Sequence, residues 1–238
     1  MVENREVGLE RLSSLDTPTY SEMYLSNTLL KKSLTTAAEA HANGELLDIG
    51  CGNKPYEVLF KKTTTKYIGC DIVQSSRNCV DVICPSNALK FADNHFDTVL
   101  TTQVIEHVES PAALLKEAYR VLKPDGVIIV TGPFFWQLHE EPYDFFRFTK
   151  YGFETLLKDA GFKNIKIDPV GGKWTTLAQM FLNVVYSAFK KKKWWKKPIK
   201  FLFIHLRGTW MINKIALWLD RKNYDSLLTL NYIVVAKK

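Results

Sequence analysis

Paired cysteines, unbroken apolar runs and a third glycine in its glycine turn are what this sequence lacks. Its 238 residues hold four cysteines, Cys51, Cys70, Cys79 and Cys84, with no Cys-x-x-Cys pair. That spacing excludes a zinc-ribbon framework and points to reduced thiols in a cytosolic protein, not to disulfides. The two greasiest stretches are interrupted, one by Gln179 and Asn183, the other by Lys200, His205, Arg207 and Lys214. Neither makes a good transmembrane span. The N-terminal Met1-Val2-Glu3-Asn4-Arg5 has no apolar core, so no secretory signal is expected. The turn Gly50-Cys51-Gly52 continues into Asn53 and Lys54, a departure from G-x-G-x-x-G that counts against hydride transfer.

The hydrophobic share of 46% fits a globular core. The net charge of +7 is unevenly spread. Lys173–Lys222 carries 12 Lys/Arg against one acid, Asp220, and five of the six tryptophans; the other 188 residues carry 20 basic against 24 acidic side chains. The positive excess therefore belongs to one segment, a functional element or separate module.

Elsewhere apolar strands alternate with amphipathic helices. Thr19-Tyr20-Ser21-Glu22 reads as a capping box opening a helix that Asn43-Gly44 closes. Strands are expected at Glu45–Ile49, Lys66–Ile72, Cys79–Cys84, Phe96–Thr102, Val127–Thr131, Asn164–Asp168 and Asn231–Ala236. Helices are expected at Pro55–Lys61, at Pro111–Leu122, and from a Thr149 cap to Gly161. This alternation predicts a parallel sheet covered on both faces. The basic segment falls before the last strand as two helices, about 174–189 and 198–220, joined by a Lys/Trp run.

Leu46-Leu47-Asp48-Ile49-Gly50-Cys51-Gly52 is an apolar strand ending in a turn that lets backbone N–H groups approach a ligand. Asp71, at the tip of the next strand, is placed to grip a ribose diol. With the run Leu89–Asp97, the stretch Thr102–Val108 and Leu122-Lys123-Pro124-Asp125-Gly126, these motifs resemble the class I S-adenosylmethionine-dependent methyltransferases over roughly 45–170 and the final strand. The resemblance implies a Rossmann-like seven-stranded α/β sheet, with 1–44 as a helical lid, 45–172 and 227–238 as the cofactor-binding core and 173–226 as an insertion. It implies that Asp48 orients the glycine loop and the cofactor's amino group. Gly50, Cys51, Gly52 and Asn53 would pass beside the methionine and ribose, Asp71 would accept from the ribose hydroxyls, and Ile72 would lie beside the adenine. Ser86 or Asn87 would replace the acid often found near the adenine amine, and Thr102 and Gln103 would lie near the sulfonium. Glu106 and His107 are expected to start a helix and pack.

The stretch Gly132–Thr149 is dense in aromatics and acids, and loops of this size are usually functional. It resembles a loop of a type 11-like methyltransferase subgroup commonly associated with polysaccharide and cell-envelope biosynthesis. His139 is the candidate base, oriented by Glu140 or Glu141, or else it only packs the loop. Trp136, Tyr143 and Arg147 are substrate-binding candidates; Arg147 either meets an anionic substrate or pairs with Asp144. A metal site from His139, Glu140 and Glu141 is poor, because adjacent side chains diverge, and none is expected. Gly132-Pro133-Phe134-Phe135 is similar to the Asn-Pro-Pro-Phe of amino methyltransferases but follows the wrong strand. The expected reaction is O-methylation of a small, glycan or lipid-linked acceptor at the cytoplasmic membrane face, with peripheral contact through 174–220. The alternatives are an RNA methyltransferase using the lysine run, which the apolar surplus disfavours, and a non-catalytic cofactor-binding protein that docks on membranes. A plain helical cap remains open for the insertion.

Overall fold

Leu46, Leu47 and Ile49 are all buried because their strand is covered on both sides. Leu47, Ile49, Val99, Ile128 and Val130 join one core cluster, while Leu46, Leu100, Val127 and Ile129 join another. Alternate side chains of a strand point to opposite faces, so an apolar residue at nearly every position places it centrally. The computed structural model describes residues 12–190, 201, 203 and 207–238.

The elements are α1 (Tyr24–His41), β1 (Glu45–Ile49), α2 (Glu57–Phe60), β2 (Lys66–Asp71), β3 (Val82–Ile83), β4 (Phe96–Thr102), a 3-10 turn (Ile105–His107), α3 (Pro111–Val121), β5 (Leu122–Pro133), α4 (Lys150–Asp159), β6 (Lys163–Val170), α5 (Lys173–Lys190), α6 (Gly208–Lys222) and β7 (Asn231–Lys237). The sheet order is β3-β2-β1-β4-β5-β7-β6. Strands β1 to β5 pair in parallel, but β7 runs antiparallel to both β5 and β6, which corrects the all-parallel expectation. The strand order reverses between the parallel neighbours β1 and β4, and the crevice beyond their carboxyl ends is where such sheets take ligands.

Helices α3 and α4 cover one face through Leu114, Leu115, Ala118, Phe153 and Leu157. Both start as their sequences suggest, with Ser110 accepting from Ala113 N–H and Thr149 from Gly152 N–H. Helix α1 covers the other face through Leu30, Leu34, Ala37 and Ala38. Its start departs from the expected capping box: the helix begins at Tyr24 with no side-chain cap. The insertion supplies the reason. Gln179 Nε2 donates to the Glu22 carbonyl at 2.7 Å and Gln179 Oε1 accepts from Ser26 N–H at 3.2 Å. Asn213 Nδ2 donates to the Thr19 and Ser21 carbonyls at 2.8 and 3.0 Å. These buried amides hold residues 19–22 as a turn, so tertiary bonds override the local cap.

The insertion is clamped to the sheet by Asp220 of α6, which caps α5. Its carboxylate accepts from the N–H groups of Gly172, Trp174 and Thr175 at 3.1, 3.0 and 3.1 Å and from the Thr175 hydroxyl at 2.6 Å. The second expected helix is broken: Arg207 adopts φ 56° and α6 starts at Gly208. The third strand is also shorter than expected. The Lys/Trp run 191–198 lies outside the described residues.

Candidate active site

The tips of β1, β2 and β4 converge on one turn. Gly50 has φ +77°, and a Cβ there would run into the Val104 side chain, so only glycine fits. Gly50 and Cys51 both donate to the Cys70 carbonyl, at 2.8 and 3.1 Å. Asp71 closes the turn: one oxygen accepts from Gly52 N–H at 3.0 Å, the other from Ile72 N–H at 2.7 Å. A carboxylate has about four acceptor positions, more than these two bonds use. Asp48 sits beneath the turn, accepting from the Tyr67 hydroxyl at 2.6 Å. Burial pushes its carboxyl up to about 7, against the lowering effect of that bond.

Above the turn lies a cavity of about 400 Å³. Of the residues singled out from sequence, Gly50, Cys51, Gly52, Asn53, Asp71, Thr102, Gln103, Trp136, His139 and Glu140 line it. Asp48, Ile72, Ser86, Asn87, Tyr143 and Arg147 are not in its wall. Ser86 and Asn87 lie in a turn closed by Ala88 N–H on the Pro85 carbonyl. Sequence reasoning missed Tyr56, Asn231 and, above all, His107 as lining groups.

A nucleoside-sized, partly apolar ligand suits this wall. The Asp71 carboxylate offers acceptors at one end, the glycine turn admits close backbone approach, and the Thr102 hydroxyl is buried without a partner among the described residues. These features fit S-adenosylmethionine.

The other end is built by the loop after β5. Asp144 is its anchor. Arg147 grips it with two bonds of 2.6 and 2.7 Å and donates to the carbonyls of Trp136, Gln137 and Phe146. All five guanidinium donors are thereby engaged inside the loop. Of the two roles expected for Arg147, an anionic substrate or a pair with Asp144, the internal pair is the one that forms. Burial works to raise the Asp144 carboxyl, but the Arg147 hydrogen bonds, aided by the His139 N–H, outweigh it and hold it at about 2. Asp144, and not Glu140 or Glu141, orients His139: it accepts the His139 backbone N–H at 2.9 Å and lies 3.2 Å from its Nδ1. Glu140 is exposed on the cavity side.

His139 meets a partner from β4's far end. His107 Nε2 stands 3.1 Å from His139 Nε2, and His107 Nδ1 lies 2.8 Å from the Tyr143 carbonyl. Glu106 beside it is 0% exposed, and neither carboxylate oxygen has a hydrogen-bond partner among the described residues. Burial pushes its carboxyl up to about 8 and lowers His107 below the ordinary imidazole range. The pair occupies a 3-10 turn separate from α3, whose cap is Ser110, so the helix-start reading of Glu106 does not describe its side chain.

A doubly covered sheet of this order, with a glycine turn and an acid at its switch point, defines a Rossmann-like methyltransferase class. A family model for a methyltransferase domain, Methyltransf_11, matches residues 47–130. The chain is 31% identical over 165 residues to the uncharacterized protein MJ1123 of Methanocaldococcus jannaschii, covering 62% of this chain and 78% of that one. It is 30% identical over 105 residues to probable tRNA methyltransferase 9B of Homo sapiens, covering 40% of this chain but 22% of that protein. In fold it matches the crystal structure of a SAM-dependent methyltransferase from Archaeoglobus fulgidus, with a TM-score of 0.56 and 18% identity, over 91% of this chain and 97% of that one. The chain belongs to the class I S-adenosylmethionine-dependent methyltransferases and binds that cofactor.

Proposed function

We propose that this methyltransferase acts on a hydroxyl oxygen of an amphiphilic or lipid-linked acceptor, such as a glycan carrier, at a membrane surface. The observation that carries this reading is an exposed apolar face on the insertion. Leu177, Phe181 and Val184 of α5 are at least half exposed, as are Ile215 and Trp218 of α6, with Met211 close behind at 49%. Each set follows the three-to-four-residue spacing of one helix face. Such a face, in a segment carrying most of the chain's excess lysine, suits the boundary of an anionic bilayer. Among the described residues no helix is long and apolar enough to cross a membrane. Residues 1–44 then act as a lid and 173–226 as the docking module.

S-adenosylmethionine supplies a methyl group on a sulfonium. The chain's part is positioning, which can contribute roughly 7–11 kcal/mol to such a transfer. Asp71 accepts from the ribose hydroxyls, and the 50–53 turn passes beside the methionine and ribose. Thr102 and Gln103 face the sulfonium end. Trp136 packs on the acceptor, and His139, held by Asp144, is the candidate base for its hydroxyl proton. Liposome co-sedimentation tests the docking. Binding to anionic vesicles should weaken about fivefold in Trp218→Ala, given ~1 kcal/mol for a half-buried indole, and no vesicle binding by the native chain would overturn the reading.

A second reading, RNA methylation, draws on the similarity to a probable tRNA methyltransferase and on the lysine run. Salt-sensitive RNA binding lost on neutralising Lys190–Lys193 would favour it.

A further inference from the structure

We propose that Glu106, His107 and His139 form a binding site for one divalent transition-metal ion of the zinc class, with its open side on the cavity. One ligand atom from each lies within 4.8 Å of the other two.

The ring nitrogens carry the argument. His107 Nδ1 faces the Tyr143 carbonyl at 2.8 Å. A carbonyl only accepts, so Nδ1 holds the hydrogen and a neutral ring presents a lone pair at Nε2. His139 Nδ1 faces the Asp144 carboxylate at 3.2 Å and the Gln137 carbonyl at 3.3 Å, and the same logic leaves its Nε2 with a lone pair. These two Nε2 atoms point at each other across 3.1 Å. Two lone pairs so placed repel unless a cation or an added proton lies between them. Zinc binds imidazole at 2.0–2.1 Å, so two tetrahedral ligands stand about 3.3 Å apart. The pair already has that spacing.

Glu106 completes the set. Its carboxylate is fully buried with neither oxygen hydrogen-bonded, a costly state without a cation. Oε1 lies 3.9 Å from His107 Nε2, within about 1 Å of the ligand spacing. Behind the ligands stand the groups that fix ligand rings in metal sites: the Tyr143 carbonyl for His107, and Asp144 locked by Arg147 for His139. Two imidazoles and one carboxylate suit zinc, iron or cobalt better than magnesium or calcium. His107 and His139 line the cavity while Glu106 lies behind them, so a fourth position faces the cavity, where an acceptor hydroxyl oxygen fits. That use of the ion rests on reading the cavity as the acceptor site; with the ion bound His139 is a ligand, and the base role proposed above belongs to the metal-free chain.

The test uses the full chain stripped with a chelator. Zinc binding is followed by calorimetry, cobalt binding by visible absorption, and S-adenosylmethionine binding in a separate titration. One equivalent of metal should bind, cobalt should give tetrahedral-type bands, and His139→Gln and Glu106→Gln should each weaken binding at least about tenfold. S-adenosylmethionine affinity should stay within about twofold. Thermal melts check folding; if Glu106→Gln does not fold, the His139 variant, on a partly exposed loop, decides. Absence of stoichiometric metal binding in chain that binds S-adenosylmethionine, or binding unmoved by both substitutions, overturns the proposal. Metal binding without S-adenosylmethionine binding would break the methyltransferase reading and leave the metal site standing.

Discussion

The two ends of the cavity are built in opposite ways. The cofactor end is made from backbone: Gly50, Cys51, Gly52 and Ile72 donate N–H groups to Cys70 and Asp71, all within 23 residues of chain and all at strand tips. The opposite end, proposed for the acceptor, is made from side chains. Glu106 and His107 come from the turn after β4, while His139, Asp144 and Arg147 come from the loop after β5. A backbone cradle depends on φ angles and sheet register; a side-chain cluster depends on a few charged contacts. The two ends should therefore fail separately.

Gly50→Ala should have the largest effect. Its φ of +77° and the Val104 side chain leave no room for a methyl group. S-adenosylmethionine affinity should fall at least about a hundredfold by calorimetry, consistent with ~3 kcal/mol of strain, and retained affinity would show that the turn is not the cradle. Asp71→Ala comes next. It orphans two backbone N–H groups at roughly 1–3 kcal/mol each, so affinity should drop on the order of thirtyfold or more. An unchanged dissociation constant would remove Asp71 from the site.

Asp144→Asn probes the other end. It weakens the grip of Arg147 and the orientation of His139, so turnover should fall roughly 10–100-fold with cofactor affinity unchanged. Loss of cofactor binding in this variant would show that the two ends are not separable.

The smallest effect is in pH. In the metal-free chain Glu106 titrates near 8, above its ordinary 4.5, so its contribution to stability is full below about 4.5 and is lost as pH rises through 8. Asp144, held at about 2, contributes above 3.8 and loses its effect as pH falls toward 2. Glu106→Gln should therefore raise the melting temperature at pH 9 and not at pH 5. A native-to-variant difference independent of pH would contradict the buried, unpaired state of Glu106.

This contrast also explains what could be read before the fold was known. The strands β1 and β4, the Thr149 cap, and the glycine turn with Asp71 rest on local periodicity and on spacings within about 20 residues. Their meaning survives without tertiary context. The partnership of His139 with His107, 32 residues earlier, has no such signature, because it depends on how the loop folds back. Glu106 looked like a helix-start acid because sequence does not show that its carboxylate faces inward. Gln179 reads as an interruption of an apolar helix, yet it and Asn213 are buried hydrogen-bonding groups that tie the insertion to residues 19–26. Arg207 gave no warning of a break, and its φ of 56° is visible only in the backbone.

The central claim is that the acceptor end takes a hydroxyl on a membrane amphiphile. The most direct measurement supplies the metal-loaded enzyme with tritium-labelled S-adenosylmethionine and a membrane extract, then follows the label. Label should appear in the organic-solvent phase, in an alkali-stable ether, and should be lost with Asp144→Asn. Label that partitions with RNA, or that appears as a methylated amine, would contradict it.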